Sequence, residues 1–198
     1  MESYKTINQT GIAEFKDRGS RFIAQAFPFE NPGDFKKIFN NIRKEHPKAA
    51  HHCFAYRSGL EGNFRSGDDG EPAGTAGKQI LGQIDSAGLT DILIVVVRYF
   101  GGTLLGIPGL IHAYKTSASL VLQLVPFIEK KVLKNYILQF DYTQLNTVIR
   151  ILKQYECVIY KQEALLFYNI EAGIPISSVN FVKEKISNLH NVEMNISL

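Results

Sequence analysis

The run "ILIVVV" at residues 92–97 constrains this chain most. Six consecutive apolar residues, most of them β-branched, fit a strand buried on both faces and not one that shows alternate side chains to water. The run is too short to span a bilayer. It ends in "RYFGG", so Arg98 and Tyr99 stand where the buried strand stops, and Gly101 and Gly102 release the chain into a loop. In open α/β sheets, the region beyond a strand's end is where binding sites collect.

A second stretch, "GDDGEPAGTAGKQIL" at 67–81, asks for a chemical explanation. It is not a phosphate loop. That motif needs a glycine five residues before Gly77, where Pro72 stands, and a Ser or Thr after Lys78, where Gln79 stands. The residues read instead as the entry to a helix over about 74–84. Pro72 then sits in its first turn, and Glu71 suits the helix dipole. Gly74, Ala76 and Gly77 allow close packing against another element. Asp68, Asp69 and Glu71 have the chemistry to collect a divalent cation, but the alternating ligands and distant glutamate of a calcium loop are absent. A solvated acidic turn is expected. A guanidinium at the end of an apolar strand needs a partner when partly buried, so Arg98 is expected to contact one of these three carboxylates. "DDGE" and "RYFGG" then form one composite surface.

"HHC" at 51–53 suggests a metal site at first sight. On a strand, however, His51 and Cys53 face one way and His52 the other, and neither His46 nor His112 completes a zinc set. Polar residues in or beside a sheet are expected. The two cysteines, Cys53 and Cys157, lack CxxC spacing and fit a reduced compartment. Residues 1–17 are charged, with no apolar core of the signal-peptide kind, so a cytoplasmic location is expected. Composition is globular, at 45% hydrophobic and 21% charged. The net charge of +3 is spread thinly, with fourteen basic against twelve acidic residues through 128 and eight against seven beyond. Neither part would coat duplex DNA, so any nucleic-acid contact needs a local patch.

Along the chain, residues 11–29 alternate about "DRGS" and read as a hairpin. Phe35, Ile38, Phe39 and Ile42 mark a helix that Pro47 closes. A strand is expected over "AAHHCFAYR", and an apolar helix over about 110–124. Beyond "VPFIEKK", the order is strand (129–141), helix (142–155), strand (157–162), strand (164–171), helix (175–189, with Pro175 in its first turn) and strand (192–198). That is the β-α-β-β-α-β order of a ferredoxin-like module. Two domains are therefore expected, 1–128 and 129–198.

The segments "SRFIA" (20–24), "HPKAAHHCFAY" (46–56), "DDGEPAGTAGKQIL" and "VVVRYFGGTLLG" resemble the IMPACT family in content, order and spacing. The resemblance spans essentially all of the first domain and includes the bacterial YigZ-type members. It implies an α+β fold: an N-terminal sandwich similar to the second domain of the fifth small-subunit ribosomal protein, and a C-terminal module similar to the last domain of elongation factor G. It also implies a link to translation, since eukaryotic relatives regulate translation under starvation. The sequence departs from the family at "LGIPGL", where Ile107 and Pro108 replace a threonine and a glycine and His112 stands in place of a basic residue. Proline removes one backbone donor and fixes φ.

The leading expectation is a translation-linked binding protein with no catalytic residues, metal or cofactor. Its partner would be RNA, the ribosome or a translation-associated protein, and neither a membrane nor duplex DNA. The binding residues expected are Arg65, Asp68, Asp69, Gly70, Glu71, Thr75, Lys78, Arg98, Tyr99, Gly101 and Gly102. Two alternatives stand beside it: a small metal-dependent hydrolase using Asp68, Asp69 or Glu71, and a regulator that binds protein alone. Basic residues interleaved with aromatics near the composite surface would favour RNA, and a bound divalent cation would favour the hydrolase.

Overall fold

A computed structural model describes residues 2–197, which divide into two compact units. One spans Lys5–Glu129, and the other joins the residues up to Tyr4 with those from Lys130 onward. Strands β1 (Ser3–Ile7) and β7 (Phe127–Lys131) pair as a separate two-stranded ribbon.

In the larger unit, β2 (Gly11–Asp17) and β3 (Ser20–Pro28) form the expected hairpin. Arg18 and Gly19 both take positive φ (43° and 79°), as a two-residue turn matched to strand twist requires. Helix α1 (Phe35–Glu45), β4 (His51–Ser58), β5 (Asn63–Gly67), α2 (Gly77–Ser86), β6 (Ile92–Tyr99) and α3 (Gly106–Leu124) follow. The sheet order is β2-β3-β6-β4-β5, with every pairing antiparallel. The apolar run lies on the middle strand, and all six of its residues have no exposed surface. Both faces of β6 are covered. Ile94 and Val96 face a core with Phe22, Ile80, Ile84, Tyr114 and Val121 under α2 and α3. Leu93, Val95 and Val97 face Phe29, Ile42 and Phe54 under α1.

In the smaller unit, β8 (Leu133–Phe140), α4 (Leu145–Gln154), β9 (Val158–Ala164), β10 (Tyr168–Pro175), α5 (Val179–Ser187) and β11 (Val192–Ile196) give the ferredoxin-like order. The antiparallel sheet runs β11-β8-β10-β9. Tyr136, Leu138, Phe140, Ile170, Ala172 and Ile174 form its core with Val148, Leu152, Val182 and Ile186 of the helices. No helix among the described residues is long and apolar enough to cross a membrane.

Several boundaries differ from expectation. Helix α3 starts at Gly106 instead of 110, because Pro108 falls in the first turn, where its missing N–H breaks no helical bond. The strand expected over 129–141 is two strands, β7 and β8, parted at Val132. Leu165, Leu166 and Phe167 belong to no strand: they form the β9–β10 turn with their side chains exposed. Pro175 ends β10 and stands as the N-cap of a 3-10 turn (Ile176–Ser178) that runs into α5, one residue outside the helical segment and not within its first turn. Strands β1 and β5 lacked a signal, since "NFRSG" is polar throughout apart from Phe64.

Candidate functional site

The loop between β5 and α2 is held by its three carboxylates, each engaged in a different direction. The Asp68 carboxylate accepts from the backbone N–H groups of Gly74 (2.9 Å), Ala76 (3.0 Å) and Gly77 (2.8 Å). It thereby caps the start of α2 from outside the helix, whose N-cap position is Ala76. The sequence instead placed Glu71 at the helix dipole and Pro72 in the first turn, and the helix starts at Gly77 instead of 74. Asp69 takes φ +43° and turns the other way. Its carboxylate accepts from the His52 backbone N–H (2.7 Å) and from Arg43 of α1 (2.5 Å). Its carbonyl lies 2.8 Å from His51 Nδ1. Glu71 points inward, with 3% of its side chain exposed. The solvated acidic turn expected from sequence is therefore incorrect, because each acid has a protein donor within reach.

Glu71 Oε1 is the centre of a buried polar cluster. It accepts from Arg98 Nη1 (2.7 Å) and from the Tyr114 hydroxyl (2.8 Å), and His51 Nε2 lies 3.8 Å away. Arg98 is thus in contact with the acidic loop, as expected, and the register explains why. On β6 it lies opposite Phe22 on one side and His51 on the other, facing α2 and α3. Phe22 and Phe100 rings flank the guanidinium at 5.5 and 5.7 Å, and its Nη2 donates to Ser20 Oγ (3.4 Å). Arg98 Nε is buried without a hydrogen-bond partner. Cys53 donates to the Asp68 carbonyl (3.0 Å), and its sulfur lies 3.3 Å from the Tyr114 hydroxyl. Burial pushes both the Cys53 thiol and the Tyr114 phenol well above their ordinary values, which keeps them protonated. A thiol held neutral in this way is a poor nucleophile.

The expected binding residues therefore separate. Glu71, Arg98 and Thr75 are buried; Thr75 spends its hydroxyl on the Pro72 carbonyl (2.7 Å). Their side chains act within the fold. Gly77 lies so close to β5 that a Cβ would sit 2.7 Å from Gly67 N, whereas Gly74 has open space and is needed for its positive φ of 76°. A Cβ on Gly101 would meet the Gly19 carbonyl carbon at 1.8 Å, so "RYFGG" locks the loop against the β2–β3 turn, with Gly101 N–H donating to Ser20 Oγ (3.2 Å). Gly102 takes φ +85° and Gly70 takes φ +89°. Gly70, Lys78, Gly101 and Gly102 are exposed. At the family departure, Ile107 is 58% exposed and His112 packs edge-on to Phe15.

The other two residues, Arg65 and Tyr99, lie on the opposite face of the sheet, with α1. Arg65 covers the Phe35 and Phe54 rings at 5.5 and 5.7 Å. Arg21 covers the Tyr99 ring at 6.0 Å. The Tyr99 hydroxyl lies 2.9 Å from His46 Nδ1, and His46 Nε2 lies 3.3 Å from the Gln25 amide. His52 faces this side too, edge-on to Phe39. Burial pushes its imidazole below the ordinary value, against the opposing pull of the Asp69 carboxylate. Sequence reasoning missed Tyr114, Ser20, Arg21, Arg43 and His46. Tyr114 sits within an apolar helical pattern that marks core, and the others lie far along the chain from the loops they brace. Among the described residues, no group of three or more His, Cys, Asp or Glu side chains is placed to hold a metal ion.

Comparison with known proteins places this geometry. Residues 18–122 match the Impact N-terminal domain. The chain is 35% identical over 181 residues to the IMPACT family member YigZ of Escherichia coli (strain K12), covering 90% of this chain and 88% of that one. It is 30% identical over 197 residues to the IMPACT family member YvyE of Bacillus subtilis (strain 168), covering 99% and 91%. The crystal structure of a hypothetical protein is similar throughout, with a TM-score of 0.79 at 31% identity and coverage of 100% and 98%.

Proposed function

From the premise that this chain belongs to the IMPACT family, with bacterial relatives of the YigZ type, we propose that it is a cytoplasmic binding protein linked to the regulation of translation. It acts by docking and not by turnover. The observation that carries this reading is the way the acidic loop is used. Asp68 caps a helix, Asp69 pairs with Arg43, and Glu71 is buried against Arg98 and Tyr114. A hydrolase built on these acids would need at least one of them free to activate water or hold a metal. Ordered instead, they brace the two glycine-rich loops as part of a rigid scaffold that can present a binding surface. The link to translation rests on the family, since a fold by itself names no function.

The test is sedimentation of the tagged protein with ribosomal particles from lysate of its own cells, before and after RNase treatment. Association supports the reading. Metal-dependent phosphoester or peptide hydrolysis by the pure protein, abolished by Asp69→Ala, would overturn it. The two units are proposed to be separable near residue 129. A fragment of residues 130–198, with its own apolar core, is then expected to give a well-dispersed amide spectrum, and a collapsed spectrum would refute that boundary.

A further inference from the structure

We propose that the α1 face of the larger unit is a track for single-stranded RNA, with phosphates along α1 and a base at Tyr99. This inference rests on the reading of a translation-linked binding protein and names the surface and the chemistry of its ligand.

Charge is concentrated on this face. Residues 35–48 hold five basic side chains, Lys36, Lys37, Arg43, Lys44 and Lys48, against one acid, Glu45. All six are exposed. Lys37, Asn41, Lys44 and Lys48 follow one another at intervals of four, three and four, which lines up one side of a helix and the turn beyond it. Lys37 and Lys44 are then about 10 Å apart along the axis at 1.5 Å per residue. Among the described residues, Lys36, Lys37, Lys44 and Lys48 have no carboxylate at ion-pair distance. Two acids beside this face are paired, Glu14 with Arg21 (2.7 Å) and Lys16 (3.2 Å), and Asp69 with Arg43 (2.5 Å), while Asp34 and Glu45 stand exposed at the two ends of α1.

The residue that follows α1 delivers this charge to an aromatic platform. His46 bonds Tyr99 and reaches Gln25, and Arg21 lies over the half-buried Tyr99 ring. A ring beside a guanidinium, with amide and imidazole groups at its edge, suits an unstacked base. Arginine–aromatic pairs recur across the face, at Arg43–Phe39 (5.0 Å) and Arg65–Phe35 (5.5 Å). This is the interleaving of basic and aromatic residues that distinguishes an RNA surface from a general protein-docking one. Duplexes fit less well, because their bases are stacked away and one helix offers too short a rail for two strands. An acidic peptide would use the lysines and leave Tyr99 idle.

The experiment is fluorescence anisotropy of the full chain with a fluorescein-labelled oligouridylate across a salt series. Binding is expected at low salt and falls as salt rises. Lys37→Glu with Lys44→Glu is expected to reduce the log–log salt slope by about 1.4, two contacts at about 0.7 each. Tyr99→Leu is expected to weaken binding about tenfold with the slope unchanged, in a protein whose circular dichroism matches wild type. Lys115→Glu, on α3, serves as the control and is expected to bind as wild type does. No binding by the wild-type protein at low salt overturns the proposal, as does a lysine double variant that binds normally. Displacement of the RNA by polyglutamate at equal charge concentration overturns it in favour of an acidic protein partner. Ribosome sedimentation that persists in the lysine double variant would sink this surface and leave the translation-linked reading standing.

Discussion

The two faces of the five-stranded sheet use the same residue types for opposite ends. Toward α2 and α3, Arg98, Glu71, Tyr114 and Cys53 lie buried and bonded to one another, with the partly exposed His51 beside Glu71. Toward α1, Arg65, Lys37 and Lys44 stand at the surface, Arg65 beside the partly covered Phe35 ring. Burial makes the difference. A buried charge must be satisfied inside the protein, and once satisfied it fixes loops and offers nothing to a ligand. An exposed charge costs little to keep and remains available. The strongest-looking chemistry in the sequence is thus architectural, and the plainer surface is the one proposed to bind.

The sharpest way to break this contrast is Arg98→Ala. It strands the Glu71 carboxylate in the core and is expected to cost about 3–5 kcal/mol, read as a shift of the urea midpoint. Arg98→Met combined with Glu71→Gln removes both charges while leaving Tyr114 an acceptor, and most of the loss is expected to return. A double variant no more stable than the single one would show that the pair is not coupled. A smaller effect, about 1–2 kcal/mol, is expected for Asp68→Ala, which leaves three backbone N–H groups at the start of α2 without their acceptor. If thermal unfolding is unchanged by this substitution, the loop is not held by its cap.

The smallest effect concerns pH on the α1 face. His52 is held below the ordinary histidine value of 6.5, chiefly by burial. The unfolded chain therefore binds the proton more readily than the folded one, and stability falls as pH drops through 6.5 toward the folded-state value. His52→Asn is expected to flatten that part of the stability profile, measured by denaturant titration at stepped pH. A profile identical to wild type would mean that His52 titrates alike in both states.

Much of this molecule was legible in particular residues. The ferredoxin-like order followed from helical stripes such as Val148 and Leu152 and from the strands between them. The contact between Arg98 and the acidic loop followed from a charge stranded at the end of an apolar strand. The roles inside the loop did not. Asp68 and Glu71 are three residues apart and chemically alike, and only the path of the backbone sends one to a helix start and the other into the core. Tyr99 was grouped with Arg98 because they are neighbours, yet consecutive strand residues face opposite sides, so the two serve different surfaces. The exposed Leu165–Leu166–Phe167 turn was hidden because its composition matches a strand.

By itself, the sequence determined where chain must be buried and which local periods it could adopt, because hydrophobic spacing and glycine conformations act over a few residues. Residues 92–97 had to be an interior strand, and Arg18–Gly19 had to turn. Tertiary structure alone decided which charges would be spent. Pairing of Arg98 with Glu71, Arg43 with Asp69 and Arg21 with Glu14 depends on which elements meet in space. A charged side chain is free or satisfied according to its neighbours across the fold, and spacing along the chain carries little of that information.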